Sequence, residues 1–242
     1  MKKIDAIIFG ANEYALQIVK QIQGSYNSVN LYVLEDEFEK VDKDIADSVD
    51  TFDLSDDWDD FSERFDVDHA LVFCALEQDS HNIFLTISLR AEFDNLRMIA
   101  LSRNSESANK LKMAGASKVI PMIQTTSNMI LDILEKPVVT DMLHKVLYEE
   151  GDVKIAEVSI GDNSDLIGLK IGDIQFQERY KILVIAYVND DFETHFIFSS
   201  DNKNHLLQAS DVLVAIGYEE DINNFTQKMG GTNETNWRHW SW

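Results

Sequence analysis

The amino-acid sequence predicts an α/β protein: a Rossmann-like doubly wound parallel sheet followed by a second, smaller α+β C-terminal domain. Three observations carry this expectation. Short apolar runs alternate with helix-period segments through residues 1–120. A glycine-containing turn, Phe9-Gly10-Ala11-Asn12-Glu13-Tyr14-Ala15, joins the first run to the first helical segment. After Pro121 the pattern changes to two helical stretches and then to a strand-rich portion.

The strands are Ala6-Ile7-Ile8-Phe9, Leu31-Tyr32-Val33-Leu34, Ala70-Leu71-Val72-Phe73-Cys74-Ala75, Met98-Ile99-Ala100-Leu101 and Val119-Ile120, with a weaker one at 48–52. Continuous rather than alternating apolarity marks strands covered by helices on both faces, as in a parallel sheet. Helices are expected at 13–23, 37–46, 57–65, 80–92 and 105–114, with Gly24 and Gly115 placed where helices end. Two further helices, 125–134 and 138–148, flank Lys136-Pro137, and that proline breaks or kinks them. Strands then follow at 155–160, 180–188, 194–198 and 211–217, with Asn189-Asp190-Asp191 as a turn. The expected domains are an N-lobe at 1–124, a crossover helix–turn–helix at 125–150, a C-lobe at 151–229 and a tail at 230–242. The tail carries Trp237, Trp240 and Trp242, and reads as a disordered terminus or as a segment docked on a partner.

Composition narrows the function. Of 242 residues, 45% are hydrophobic and 26% charged, which suits a packed globular chain. Lys and Arg number 21 against 43 Asp and Glu, a formal net charge of -22. Such a chain is repelled by a phosphate backbone and by anionic lipid, so nucleic acid and unaided membrane surfaces are poor partners. The lone Cys74 cannot form an internal disulfide, which fits a reducing compartment. Apolar runs fall short of the roughly 18–20 residues that span a bilayer, and Met1-Lys2-Lys3 opens no signal peptide. The expectation is a cytoplasmic protein without direct membrane insertion.

The first turn stands where the dinucleotide fingerprint G-x-G-x-x-G/A belongs. Gly10 fills the first position and Ala15 the third, but Asn12 replaces the second glycine, which lets a pyrophosphate approach the backbone. Glu13 adds a negative charge at a helix N-terminus, where an anion would otherwise bind. A plain strand–helix turn with no nucleotide therefore competes with a weakened binding loop. Glu35, at the tip of the second strand, can accept both ribose hydroxyls; beside Asp36 and Glu37 it also reads as a solvated loop residue.

Other chemistry finds less support. The acids Asp53, Asp56, Asp57, Asp59, Asp60 and Glu63 invite a divalent cation, but lack an EF-hand glycine and suit a helix start better. Six histidines and one cysteine show no zinc spacing, so no metal site is expected. There is no G-x-S-x-G elbow, and no catalytic residues are assigned.

Several segments in order resemble the RCK (KTN, TrkA-type) regulatory domains of potassium channels and transporters. Arg97-Met98-Ile99-Ala100-Leu101-Ser102-Arg103-Asn104, followed by Gly115-Ala116-Ser117-Lys118-Val119-Ile120-Pro121, is similar to the family's fifth strand, helix and sixth strand. Asp79-Ser80-His81-Asn82 resembles its D-x-x-N helix start, and Asp53 stands where the family has an acid after its third strand. Leu166-Ile167-Gly168-Leu169 and Leu206 through Gly217 resemble its C-terminal lobe, with Ser210 in place of a glycine. The resemblance spans residues 4–228. It implies dimers through the 125–148 helix pair, closing into even-numbered rings beneath a membrane-embedded potassium channel or transporter pore. It also implies an adenine nucleotide (NAD(H), ADP or ATP) near Gly10, Asn12, Glu13, Glu35, Asp53, Ala75, Leu76 and Arg103. The cyclic dinucleotide of some C-lobes is not expected, because residues 185–198 lack the arginines and prolines that hold it. The function implied is a non-catalytic, ligand-sensing gating-ring domain or subunit. Its alternatives are a small NAD(P)-dependent oxidoreductase and a nucleotide-free assembly scaffold.

Overall fold

A computed structural model describes residues 4–148, 151–189, 193–209 and 211–230. They divide into two compact units, with the boundary between Leu131 and Asp132.

The first unit alternates strand and helix: β1 (Asp5–Phe9), α1 (Glu13–Ile22), β2 (Ser28–Leu34), β3 (Ser48–Phe52), α2 (Asp59–Arg64), β4 (Leu71–Cys74), α3 (Asp79–Glu92), β5 (Arg97–Ser102), α4 (Ser105–Met113) and β6 (Lys118–Pro121). The six strands pair in parallel in the order β3-β2-β1-β4-β5-β6. Side chains of β1 are sealed on both faces, as its unbroken apolar run requires. Ile7 and Phe9 join one core cluster with Val72, Cys74, Leu85 and Met98. Ala6 and Ile8 join another with Ala15, Val19, Leu31 and Val33.

One expected helix is corrected. Residues 37–46 hold only a 3-10 helix at Glu35–Lys40, with no buried residue. Phe38, Val41 and Ile45 pack on the core without a helix beyond Lys40, and on a longer helix the acids Glu35 and Glu39 would repel at i,i+4. Further on, the Asp42 carboxylate accepts from the Asp44 backbone N–H at 3.0 Å, a local bond that competes with helix.

The long helix α5 (Met122–Glu135) follows β6, and only Lys136 separates it from Pro137, which opens α6 (Pro137–Tyr148). The expected break falls there, since proline suits a first helical turn and not an interior. The second unit continues with β7 (Val153–Ser159), α7 (Phe176–Tyr180), β8 (Leu183–Val188), β9 (Thr194–Phe196), α8 (Ser200–Lys203), β10 (Val212–Tyr218) and α9 (Glu219–Lys228). Its sheet is antiparallel in the order β7-β10-β8-β9.

Two further differences arise here. Tyr180 ends helix α7 instead of opening a strand; its ring packs on Phe225 at 4.9 Å between centroids, and Lys181 turns left-handed at φ 58° to release the chain. Helix α9 had no counterpart in the expected elements. Its start is marked by Glu219, Glu220 and Asp221, and Ile222, Phe225 and Met229 carry its buried stripe at helical spacing. The tryptophan tail and the centre of the 189–191 turn lie outside the described residues.

Candidate functional site

In an open parallel sheet, ligands lodge beyond the carboxyl ends of the strands where the winding direction reverses. Here that point lies between β1 and β4. Gly10 makes the turn possible. Its φ is +138°, and an added Cβ would stand 2.4 Å from the Ala75 carbonyl oxygen. The Gly10 N–H donates to Tyr32 O at 2.9 Å, so the turn also bridges to β2.

Asn12 does two jobs that a glycine could not. Its Oδ1 accepts from the Ala15 N–H at 3.1 Å, capping α1, while its Nδ2 donates to Ala75 O at 2.6 Å. The side chain folds onto the end of β4, and one of the helix's N-terminal donors is already occupied. Ala75 is fully buried, and its N–H donates to Phe9 O at 2.9 Å. Glu13 points to solvent in the first turn of α1.

On the other side of the crevice stands Arg103, just past β5. Its guanidinium pairs with the Glu77 carboxylate, and its N–H donates to Asp79 Oδ1 and Oδ2 at 3.0 and 3.2 Å. The Asn104 amide adds a bond to Asp79 Oδ2 at 3.2 Å. Beneath lies Asn82, 1% exposed. Its Oδ1 accepts from Leu76 N–H at 2.8 Å, and its Nδ2 donates to Leu76 O at 3.1 Å and Leu101 O at 3.2 Å. A cavity of about 20 Å³, lined by Asn12, Ala75, Glu77, Asp79, Asn82 and Arg103 among others, is what remains between these groups. That volume suits about one water.

Thus Asn12, Ala75, Leu76 and Arg103 meet in one crevice, with Gly10 packed against its wall. Glu35 and Asp53 do not line it. Glu35 is exposed at the tip of β2. Asp53 follows β3 at the sheet's edge, where its Oδ1 accepts from the Ser55 N–H at 2.8 Å and from the Ser55 hydroxyl. Those bonds hold its carboxyl below the ordinary range. Glu77, which lines the crevice, is not among the expected residues; the signal is an acid just after the apolar run ending at Ala75. Among the described residues, no three His, Cys, Asp or Glu side chains gather in a way that could hold a metal ion.

The fold and crevice define a Rossmann-like domain joined to a small antiparallel α+β domain. The TrkA-N domain family matches residues 6–121, and the TrkA-C domain family matches 155–230. The chain belongs to the RCK/TrkA family of regulatory domains. Probable potassium channel protein 2 of Methanocaldococcus jannaschii is 24% identical over 157 residues, covering 62% of this chain and 44% of that protein. Potassium channel protein 1 of the same organism is 19% identical over 156 residues, covering 64% and 45%. The chain spans less than half the length of these relatives. Among solved structures, the human SLO3 gating ring shares the fold with a TM-score of 0.61 at 12% identity, over 91% of this chain and 45% of that one.

Proposed function

We propose that the chain is a non-catalytic, ligand-sensing domain or subunit of gating-ring type that controls a potassium channel or transporter at the cytoplasmic face of the membrane. The observation that carries this is the succession of a TrkA-N and a TrkA-C domain in one chain. The two potassium channel relatives support it. In this reading residues 1–124 form the sensing lobe, 125–150 the crossover pair and 151–229 the second lobe. An adenine nucleotide lies along the carboxyl edge of the sheet, its ribose at Glu35 and its phosphate side toward Arg103, with Gly10, Asn12, Glu13, Asp53 and Ala75 around it. Such a ligand acts only through different affinities for two states of the assembly.

Self-assembly into a dimer or even-numbered ring uses α5 and α6. Neither helix has a buried residue, and Leu134 and Val138 are 74% and 81% exposed. Apolar faces of this extent seek a partner. No described helix is long and apolar enough to cross a membrane.

Rubidium uptake by cells carrying Arg103→Ala in place of the natural gene tests the reading. A changed dependence of uptake on external potassium is expected; identical uptake at every concentration, in this variant and in a deletion, would refute it. A second reading, a nucleotide-free scaffold, is favoured by the bonds that already satisfy Asn12 and Arg103. Under it, uptake falls on deletion but not with Arg103→Ala. The oxidoreductase alternative predicts hydride transfer with nicotinamide cofactors, read as a change in absorbance on turnover.

A further inference from the structure

Three donors that face this crevice are already held by acceptors of the chain itself. The Ala15 N–H at the start of α1 is taken by Asn12 Oδ1, the Arg103 N–H by Asp79, and the Arg103 guanidinium by Glu77. Among the described residues, Arg103 is the one cationic side chain lining the cavity, against the two carboxylates of Glu77 and Asp79. A phosphate entering here would have to displace Glu77 and still face Asp79, with Glu13 nearby at the helix start.

Glu77 is not a loosely placed surface acid. It sits in the short connection from β4 to α3, and the backbone before it is pinned. Ala75 is bonded to Phe9 and Asn12, and both the N–H and carbonyl of Leu76 are engaged by the buried Asn82 amide. That anchoring keeps the Glu77 carboxylate opposite Arg103 while both side chains stay about half exposed, 60% and 51%. The pair is therefore openable, since solvent screens a half-exposed ion pair and leaves it weakly held.

We propose that Glu77 is the specificity-determining residue of the crevice: it occupies the phosphate side as an internal competitor, and so shifts preference toward an uncharged adenosine-type ligand. This rests on the proposed nucleotide-sensing role and deepens it. Removing the Glu77 charge frees Arg103 for a phosphate and leaves the ribose side at Glu35 untouched.

Calorimetry on the full chain at low ionic strength, titrated with adenosine, ADP and NAD, tests this with Glu77→Gln, Arg103→Ala and the double variant. Glu77→Gln should strengthen ADP and NAD binding by roughly fivefold, the upper range for releasing a half-exposed ion pair. Adenosine binding should change by less than about twofold, and Arg103→Ala in the Glu77→Gln background should erase the gain. Melting temperatures close to wild type would show that the variants fold. If wild type binds ADP and Glu77→Gln leaves its affinity unchanged, the competitor role is overturned while nucleotide sensing stands. If no variant binds any of the three ligands, both fall together.

Discussion

Gly10 has no room for a methyl group, because the obstacle is the backbone carbonyl of Ala75, which is itself tied into the β1–β4 ladder. Its φ of +138° adds a second objection to any side chain. Gly10→Ala should therefore cost roughly 1–3 kcal/mol of stability, measured by urea denaturation; an unchanged midpoint would show that the turn relaxes freely. Cys74 is a second residue whose chemistry follows from its place. Full burial pushes its thiol up from 9.0 to about 12, only slightly offset by the Thr86 hydroxyl at 3.7 Å. A raised folded value means stability that is present below the unfolded value and lost as pH climbs above it. Stability should hold to about pH 9 and then decline, with Cys74→Ala flattening part of that alkaline limb. Native protein should also resist thiol reagents that label the urea-unfolded chain at once, and fast labelling of the folded form would contradict the burial.

Arg90 shows how one side chain joins several elements. From α3 it donates to the carbonyls of Phe93 at 2.9 Å, Leu96 at 2.6 Å and Gly115 at 3.1 and 2.9 Å, and also to that of Asp94. It thereby satisfies chain ends around α3, β5 and the turn after α4, where Gly115 at φ +97° leaves space against the Arg90 stem. Arg90→Met keeps the stem and removes the donors, so a loss of about 1.5–3 kcal/mol is expected, as for hydrogen bonds from a charged group. Calorimetric melting would show it, and a shift under one degree would mean that water replaces the donors. The helices α5 and α6 pose the opposite case, apolar surface left exposed by the described residues. Ile133→Glu and Met142→Glu should each move the protein toward monomer in light scattering without lowering its helix content. Retention of the wild-type mass in both variants would direct assembly to another surface.

At the scale of the whole molecule, a net charge of -22 over 242 residues opposes both compaction and assembly. Raising sodium chloride from about 0.05 to 0.5 M shortens the screening length from roughly 14 to 4 Å, so the thermal midpoint and the oligomeric fraction should both rise. A midpoint that falls with salt would mean that surface ion pairs such as Arg64–Asp50 at 2.7 Å outweigh the general repulsion.

Periodicity was enough to read the parallel sheet, because β1, β2 and β4 are buried on both faces and their composition is dictated by that burial. The glycine turn, the proline break before α6 and the order of family segments were likewise visible in the chain, since each depends on neighbours within a few residues. Helix α9 was not, because it turns on whether an apolar stripe meets a core made by distant residues, and neither was the shortening of the 37–46 helix, whose apolar residues reach the core from non-helical backbone. The site divides in the same way. Gly10 and Arg103 could be named from local pattern, but their partners could not. Asn12 reaches Ala75 across 63 residues, and Arg103 finds Glu77 across 26. A side chain's donors carry no record in sequence of which acceptor will stand opposite. Packing of β1 against β4 and of β4 against β5 brings those acceptors within hydrogen-bonding distance, and so makes a crevice whose arginine already faces an anion of the chain itself.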